Sequence, residues 1–337
     1  MFRIVSERRS AYILPQRPLR KVTMSTIHTL LDAVTGPPVP VVSVAPVVLS
    51  SPGRAVDLHV RVSAPATGEN LPVVLFSHGN GWSLDGYAPL TAFWASRGFV
   101  VVQPTHLDSR RLGTTLDDPG FAGIWRTRVD DLVRVLDQLD IVESSVPGLA
   151  GRVDTTRVAA AGHSWGGQTV GELLGARVLG ADGTPGEDLS DRRVQAGILL
   201  AAAGTGGDEL APFAREHLPF MNPSFATLTT PTLVVAGDRD DSALTSRGPE
   251  WMTDAYELSP GATDLLTLFG GEHSLGGIPG YEVAETTDED PQRVAVLQRL
   301  TTAYLRSALD PTDSSWEDAR TALSSSDSPI GRIDRKR

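Results

Sequence analysis

The feature that most constrains this chain is the run Gly162-His163-Ser164-Trp165-Gly166-Gly167, which fits the pattern G-x-S-x-G. The apolar stretch Val158-Ala159-Ala160-Ala161 precedes it, and helical patterning follows from Gly167. A serine in that context must sit on a very tight strand-to-helix turn at strained backbone angles. Side chains two positions before and after it would clash there, and both positions are glycine. Such a turn lifts the hydroxyl above the end of a sheet, at a helix N-terminus whose amides and dipole favour negative charge. A chain with 33 glycines can produce the five letters by chance. The strand before and the helix after are what distinguish this occurrence.

The rest of the chain supplies the sheet that the turn requires. Residues 36–40 are a Pro-rich lead-in. Val41 to Leu49 and Val56 to Val62, separated by Ser51-Pro52-Gly53, predict an N-terminal hairpin. Leu71 to Phe76 is a short continuous apolar run, the pattern of a strand buried on both faces. Helical spacing over 86–97 stops at Gly98, and Phe99 to Gln103 is the next strand. Residues 125–142 place Val129, Leu132, Val133, Leu136 and Leu139 on one helical face. Further strands are expected at Val194 to Ala203, Pro231 to Gly237 and Asp264 to Phe269, and a last amphipathic helix over 291–308. Strands alternating with helices imply a mostly parallel, doubly wound α/β sheet. One domain is expected over 36–310. Residues 204–230 break the alternation and read as a short, lid-like insertion over the carboxyl ends of the strands, where ligands bind in such sheets.

Composition narrows the partners. Apolar residues make up 40% and charged residues 21%, ordinary values for a globular domain. A formal net charge of -11 argues against nucleic acid or an anionic membrane as partner. The absence of cysteine excludes disulfides, thiolate catalysis and cysteine-based zinc sites. No apolar run approaches the roughly 20 residues of a membrane helix. Residues 1–35 read as a loose N-terminal extension: the first 23 are basic, and Ala11 to Leu14 falls short of the about 7–15 apolar residues of a secretory signal. From Pro311 the chain is rich in Ser, Asp and Arg, so 311–337 reads as a flexible tail. A cytoplasmic location is the expectation, with secretion left open; oligomeric state has no signal here.

A neutral serine is a poor nucleophile and needs a histidine to take its proton. On an elbow of this kind the partners follow in the order serine, acid, histidine. Of the seven histidines, His273 fits, on the Gly-rich loop that leaves the last strand. His28 and His59 come too early, His217 lies in the insertion, and His163 should point into the fold. His106, which precedes the serine, is the main competitor. The strand Thr232 to Gly237 runs into Asp238, Asp240 and Asp241, and the spacing Gly-x-x-Asp selects Asp240 as the acid that orients the imidazole. Asp208 is its rival. The attacked carbonyl oxygen needs two donors. The amide after the nucleophile, Trp165, is one, and the loop Ser77-His78-Gly79-Asn80-Gly81 supplies the other through Asn80, with Gly79 or Gly81 as the alternative. His78 is read as structural. Gly79, Trp82 and Tyr87 are candidate pocket residues, and Phe213, Leu218 and Phe220 are candidates for covering the site. His106 and Asp108 lack the further ligands that would make a metal site. No metal and no cofactor is expected.

The segments VVLFSHGNG, AAAGHSWGGQT, PTLVVAGDRD and GGEHSLGGIPGY resemble dienelactone-hydrolase-like members of the α/β-hydrolase fold, a group that includes chlorophyllase-like, platelet-activating-factor-acetylhydrolase-like and polyester-hydrolase-like enzymes. The resemblance spans about residues 40–308. It implies a cofactor-free serine hydrolase that forms an acyl-enzyme and then hydrolyses it, acting on a small-molecule carboxylic ester. Two departures stand out. True dienelactone hydrolases use a cysteine nucleophile, which is absent here. The acid position of the acetylhydrolases falls on Leu200-Ala201-Ala202-Ala203, so it does not carry over. A polyester or lipid substrate, or acyltransferase or cofactor-free haloperoxidase chemistry on the same residues, is the alternative.

Overall fold

The computed structural model describes residues 24–280, 287–325 and 329–336. Nine strands form one sheet: β1 (Val41–Leu49), β2 (Leu58–Pro65), β3 (Leu71–Ser77), β4 (Val100–Pro104), β5 (Val153–His163), β6 (Val194–Leu200), β7 (Thr232–Gly237), β8 (Ala262–Leu268) and β9 (Gly331–Arg335). Their order is β1-β2-β4-β3-β5-β6-β7-β8-β9. The pairs from β4 to β8 are parallel, while β1 with β2, β2 with β4, and β8 with β9 are antiparallel. This is the mostly parallel sheet expected from the alternation, and its arrangement is that of the α/β-hydrolase fold which the resemblance implied.

Helices cover both faces: α1 (Met24–Thr35), α2 (Ala88–Ser96), α3 (Ile124–Asp137), α4 (Leu139–Ser144), α5 (Trp165–Leu173), α6 (Pro212–His217), α7 (Asp254–Leu258), α8 (Pro291–Leu309) and α9 (Ser315–Ser324). The period-2 alternation of a strand divides the core in two. On β3, Val73 and Leu75 pack toward α3, α4 and α5, and Val74 and Phe76 toward α2, α8 and α9. On β5 the corresponding residues are Val158 and Ala160 against Ala159 and Ala161. Central strands are apolar on both faces because both faces are covered. The helix expected over 125–142 is broken at Gln138 (φ -124°, ψ 30°) into α3 and α4. Helix α8 opens on Asp290, whose carboxylate accepts from the amides of Gln292 and Arg293, with Pro291 in the first turn.

Both termini depart from expectation. Residues 24–35, read as part of a loose extension, form α1, which packs on α8 and α9 with Leu31 fully buried. Residues 1–23 lie outside the described residues. Among the described residues, the segment read as a flexible tail is folded: Trp316, Ala319, Ala322 and Leu323 are buried, and the Trp316 ring meets Tyr304 edge-on at 5.4 Å. Strand β9 then completes the sheet beside β8, where Arg335 reaches the buried carboxylate of Asp264 at 3.2 Å. Polar composition concealed an apolar stripe of helical period, and a strand can be polar when it pairs at an edge. The insertion 204–230 holds a 3-10 turn (Gly207–Glu209), α6 and a two-residue ladder between Arg177–Val178 and Pro223–Ser224.

Candidate active site

The carboxyl ends of β3, β5, β7 and β8 converge on Ser164. Its backbone is in the left-handed half of the map (φ 56°, ψ -121°), strain of the kind that persists where surrounding structure over-determines it. A Cβ on Gly162 would lie 2.1 Å from the Gly166 carbonyl oxygen, and one on Gly166 would lie 2.0 Å from that of Ser77. No side chain fits at either position. The Ser164 amide is tied to the Leu200 carbonyl at 2.9 Å, and its hydroxyl makes no capping bond to α5.

That hydroxyl is 2.8 Å from Nε2 of His273, and Nδ1 of His273 lies 3.1 and 3.0 Å from the two carboxylate oxygens of Asp240. A carboxylate only accepts, so Nδ1 carries the proton and Nε2 faces the serine as acceptor. Asp240 is 2% exposed. The turns after β7 and β8 are clasped together: the Asp238 amide donates to Leu268, the Arg239 amide to Gly271, and the Gly270 amide to the Asp238 carboxylate at 2.6 Å. Asp238, passed over in favour of Asp240, is therefore exposed but structural. Asp208 sits exposed on the 3-10 turn of the insertion, while the acid facing His273 is Asp240.

The second loop surrounds the serine with committed amides. The Gly79 N–H donates to the Tyr87 hydroxyl at 3.0 Å, and the Gly81 N–H to Asp108 at 3.2 Å. The carbonyl of His78 accepts from Arg128, and that of Gly79 accepts from Nδ1 of His78 at 2.7 Å. Among the described residues, the amides of Asn80 and Trp165 have no acceptor within the protein. Of the three amides weighed in this loop, Asn80 is the one left uncommitted.

Beneath the loop lies a buried polar cluster. Arg128 holds Asp108 at 2.7 Å and Thr169 at 2.9 Å. Burial opposes ionisation of Asp108, but Arg128, then His78 and His106, outweigh it and bring the carboxyl down to about 2. His106 donates from Nδ1 to Asp131 (3.0 Å) and accepts from the Ser77 hydroxyl (2.9 Å), so the competing histidine is occupied elsewhere. Burial, reinforced by Arg128, lowers His78 to about 4 and pushes His106 well down. Both stay neutral. His106 and Asp108, the pair that could suggest a metal, are thus spent on protein partners.

Two recesses meet at the serine. One, of about 470 Å³, is walled by Trp82, Trp165, Phe213, Leu218 and Leu244, with Gly79, Asn80 and Tyr87 also bordering it. The other, of about 300 Å³, is walled by Ala201, Ala203, Met221, Trp251 and Met252. Leu244 borders both. Tyr87 is fully buried with its hydroxyl engaged, so it supports the first recess more than it presents a surface to it. Phe220 packs edge-on against Trp165 at 5.4 Å, beneath the recess.

A sequence model of the alpha/beta hydrolase family matches residues 74–321, from within β3 to within α9. The chain belongs to the alpha/beta hydrolase family. Membership supports hydrolase chemistry as its activity class, and the match runs past residue 310 into the segment read as a tail. A search of curated proteins gives no match. No described helix of this hydrolase is long and apolar enough to cross a membrane.

Sequence reasoning missed several supports of this site. Asp288 accepts from the amides of Glu272 and Gly276, on either side of His273, and pairs with Arg293 at 3.2 Å. Nothing in the acidic run before α8 sets Asp288 apart from its neighbours. Arg128 and Asp131 fall within the helical stretch that was read for its apolar face alone. A sharper signal was available there, because both fall next to the apolar face of that helix.

Proposed function

We propose that this hydrolase cleaves carboxylic esters through an acyl-enzyme on Ser164, with His273 as base and Asp240 as its orienting acid. The observation that carries the reading is the hydrogen-bonded series Ser164–His273–Asp240 lying below two amides, of Asn80 and Trp165, that have no acceptor in the protein. In the first half-reaction the Ser164 hydroxyl passes its proton to Nε2 of His273 while its oxygen attacks the ester carbonyl. The carbonyl oxygen becomes negative between the amides of Asn80 and Trp165, each donor being worth about 2.7–4 kcal/mol in systems of this type. The imidazolium, steadied by Asp240, returns the proton to the departing alkoxide, and the alcohol leaves. Water then gives a proton to the same nitrogen and adds to the acyl carbon; as the bond to Ser164 breaks, the imidazolium returns that proton to the serine oxygen and the acid leaves.

Two apolar recesses on either side of the serine suit an ester with two modest apolar halves, in keeping with small or medium acyl groups and with the dienelactone-hydrolase-like resemblance. Hydrolysis of p-nitrophenyl acetate, butyrate, octanoate and palmitate tests the reading. Turnover is expected on the shorter esters, with Ser164→Ala lowering kcat on the order of 10⁶-fold. A folded protein that hydrolyses none of them, or an Ala variant as active as wild type, overturns it.

A further inference from the structure

Three hydrogen bonds run without a break from the loop of Asn80 to the loop of His273. The Gly79 N–H donates to the Tyr87 oxygen at 3.0 Å, the Tyr87 O–H lies 2.8 Å from Nδ1 of His163, and Nε2 of His163 lies 2.7 Å from the His273 carbonyl. The two ends fix the direction. An amide can only donate and a carbonyl can only accept, so His163 carries its proton on Nε2 and Tyr87 donates to Nδ1. Tyr87 is fully buried and His163 is 1% exposed. Burial first, and then the neighbouring His273, lower His163 to about 3, so the ring stays neutral where ordinary histidines titrate.

We infer that Tyr87 and His163 are positioning residues which lock the oxyanion loop and the base-bearing loop to one another; the inference rests on the ester-hydrolase reading. Both act through backbone groups, although the His163 ring also lies tilted against the His273 ring at 4.9 Å. Tyr87 does not owe its place to shape alone. Its backbone is left-handed (φ 65°), where a non-glycine residue is disfavoured, and its amide donates to Pro279 at 2.9 Å, on the loop that follows His273. A phenylalanine would fill the same space beside Phe76 and Trp82. The hydroxyl is the part that serves as both acceptor and donor in the chain. Without it, the peptide between His78 and Gly79 is held only at its carbonyl, by Arg128. The next peptide carries the Asn80 N–H. Without His163, the His273 carbonyl loses the donor that fixes the backbone beneath the imidazole.

The test compares Tyr87→Phe, His163→Ala, His163→Gln and the Phe/Ala double variant on the best p-nitrophenyl ester. Loosening both loops should lower kcat on the order of 10- to 100-fold, since small misplacements in a site have effects of that size. For Tyr87→Phe, KM should stay within about threefold, because the ring that borders the recess is kept; His163 also borders it, so the KM of His163→Ala does not enter the test. The double variant should be no worse than the poorer single, because each substitution breaks the same chain. His163→Gln should recover most of the rate, since its amide offers one acceptor and one donor in place of the two ring nitrogens. Nitrogen NMR of wild-type protein reads the chain without turnover: His163 should be the Nε2–H tautomer and should not titrate between pH 5 and 9. Wild-type kcat in Tyr87→Phe, additive losses, or an Nδ1–H tautomer would each overturn the inference. If His163→Ala fails to fold, Tyr87→Phe and the tautomer decide it. A wild-type protein with no ester turnover but the expected tautomer would sink the ester reading and, with it, the catalytic meaning of the chain, while leaving the hydrogen bonds themselves established.

Discussion

Glu172 lies on α5, two turns after the serine, and is 1% exposed. One carboxyl oxygen accepts from Gln168 at 2.9 Å, and the other has no hydrogen-bond partner among the described residues. Its surroundings include Trp125, Trp165 and Phe220, and the nearby guanidinium of Arg128 is engaged by Asp108, Thr169 and His78. Burial raises the Glu172 carboxyl to about 8, with the Gln168 hydrogen bond and the Arg128 charge opposing the rise without cancelling it. The folded state therefore holds a proton that the unfolded chain releases near pH 4.5. Stability linked to this group is fully present below pH 4.5, is lost as pH rises towards 8, and changes no further above that. At about 1.36 kcal/mol per pKa unit, the full window amounts to about 5 kcal/mol as an upper bound. Local relaxation and water entry would bring the measurable figure to about 2–5 kcal/mol. Glu172→Gln removes the titration while keeping the shape and the acceptor for Gln168. The variant should match wild type near pH 4.5 and gain stability over it from there to pH 8, after which the difference should level off. Urea unfolding followed by tryptophan fluorescence at pH 5, 6, 7, 8 and 9 measures this, and other titrating groups cancel in the difference. Parallel wild-type and variant curves across that range would refute a protonated Glu172.

The buried histidines act in the acid range with the opposite sign: His78 (about 4) and His163 (about 3) have folded values below the ordinary 6.5, so their contribution is intact above pH 6.5 and lost as pH falls towards those values. Circular dichroism should accordingly show acid unfolding before pH 4, and a protein still fully folded at pH 3 would contradict this. Asp240→Asn should keep the fold and lower kcat on the order of 10⁴-fold, because an amide no longer fixes the His273 tautomer; activity within tenfold of wild type would point to a different acid. Trp316→Ala should destabilise the protein by about 3–5 kcal/mol through the cavity left against Tyr304, read as a lower urea midpoint, whereas a frayed C-terminus would show no change.

Much of this architecture was legible because the central strands β3 to β8 are buried on both faces and must be continuously apolar. The tight turn at Ser164 was legible for a different reason: sterics leave only glycine at positions 162 and 166. The C-terminal segment was not, since Trp316, Ala319 and Ala322 are too sparse among serines and acids to outweigh composition. The break at Gln138 was hidden as well, because apolar spacing continues across it in both short helices. The polar supports under the site left a weaker trace: a charged residue beside an apolar helical face can be singled out, but its partner cannot. Arg128 meets Asp108 and His78 only after α3 has docked on the sheet, and Asp288 meets the loop of His273 only after α8 has turned back along it. Such pairs have no local period, so pattern reading cannot find them.

The polar supports, more than the apolar core, decide which backbone groups remain available to a substrate. Consider the three successive peptides that begin at His78. The first is held at its N–H by Tyr87 and at its carbonyl by Arg128. The second is held at its carbonyl by the imidazole of His78, and the third at its N–H by Asp108. A peptide plane fixed at its carbonyl has its N–H direction fixed as well, because the two point opposite ways across a rigid unit. The middle peptide is the one whose N–H, that of Asn80, has no acceptor in the protein, and it is also the one whose neighbours cannot rotate to relieve it. An unsatisfied donor held rigid in this way is unfavourable in the empty site and favourable once negative charge forms against it, which is the differential that speeds a reaction rather than merely binding a substrate. On the reading proposed here, His78, Arg128 and Asp108 therefore matter to the chemistry although none of them meets the ester. A substitution that frees the middle peptide, such as His78→Ala, should reduce kcat well before it alters KM.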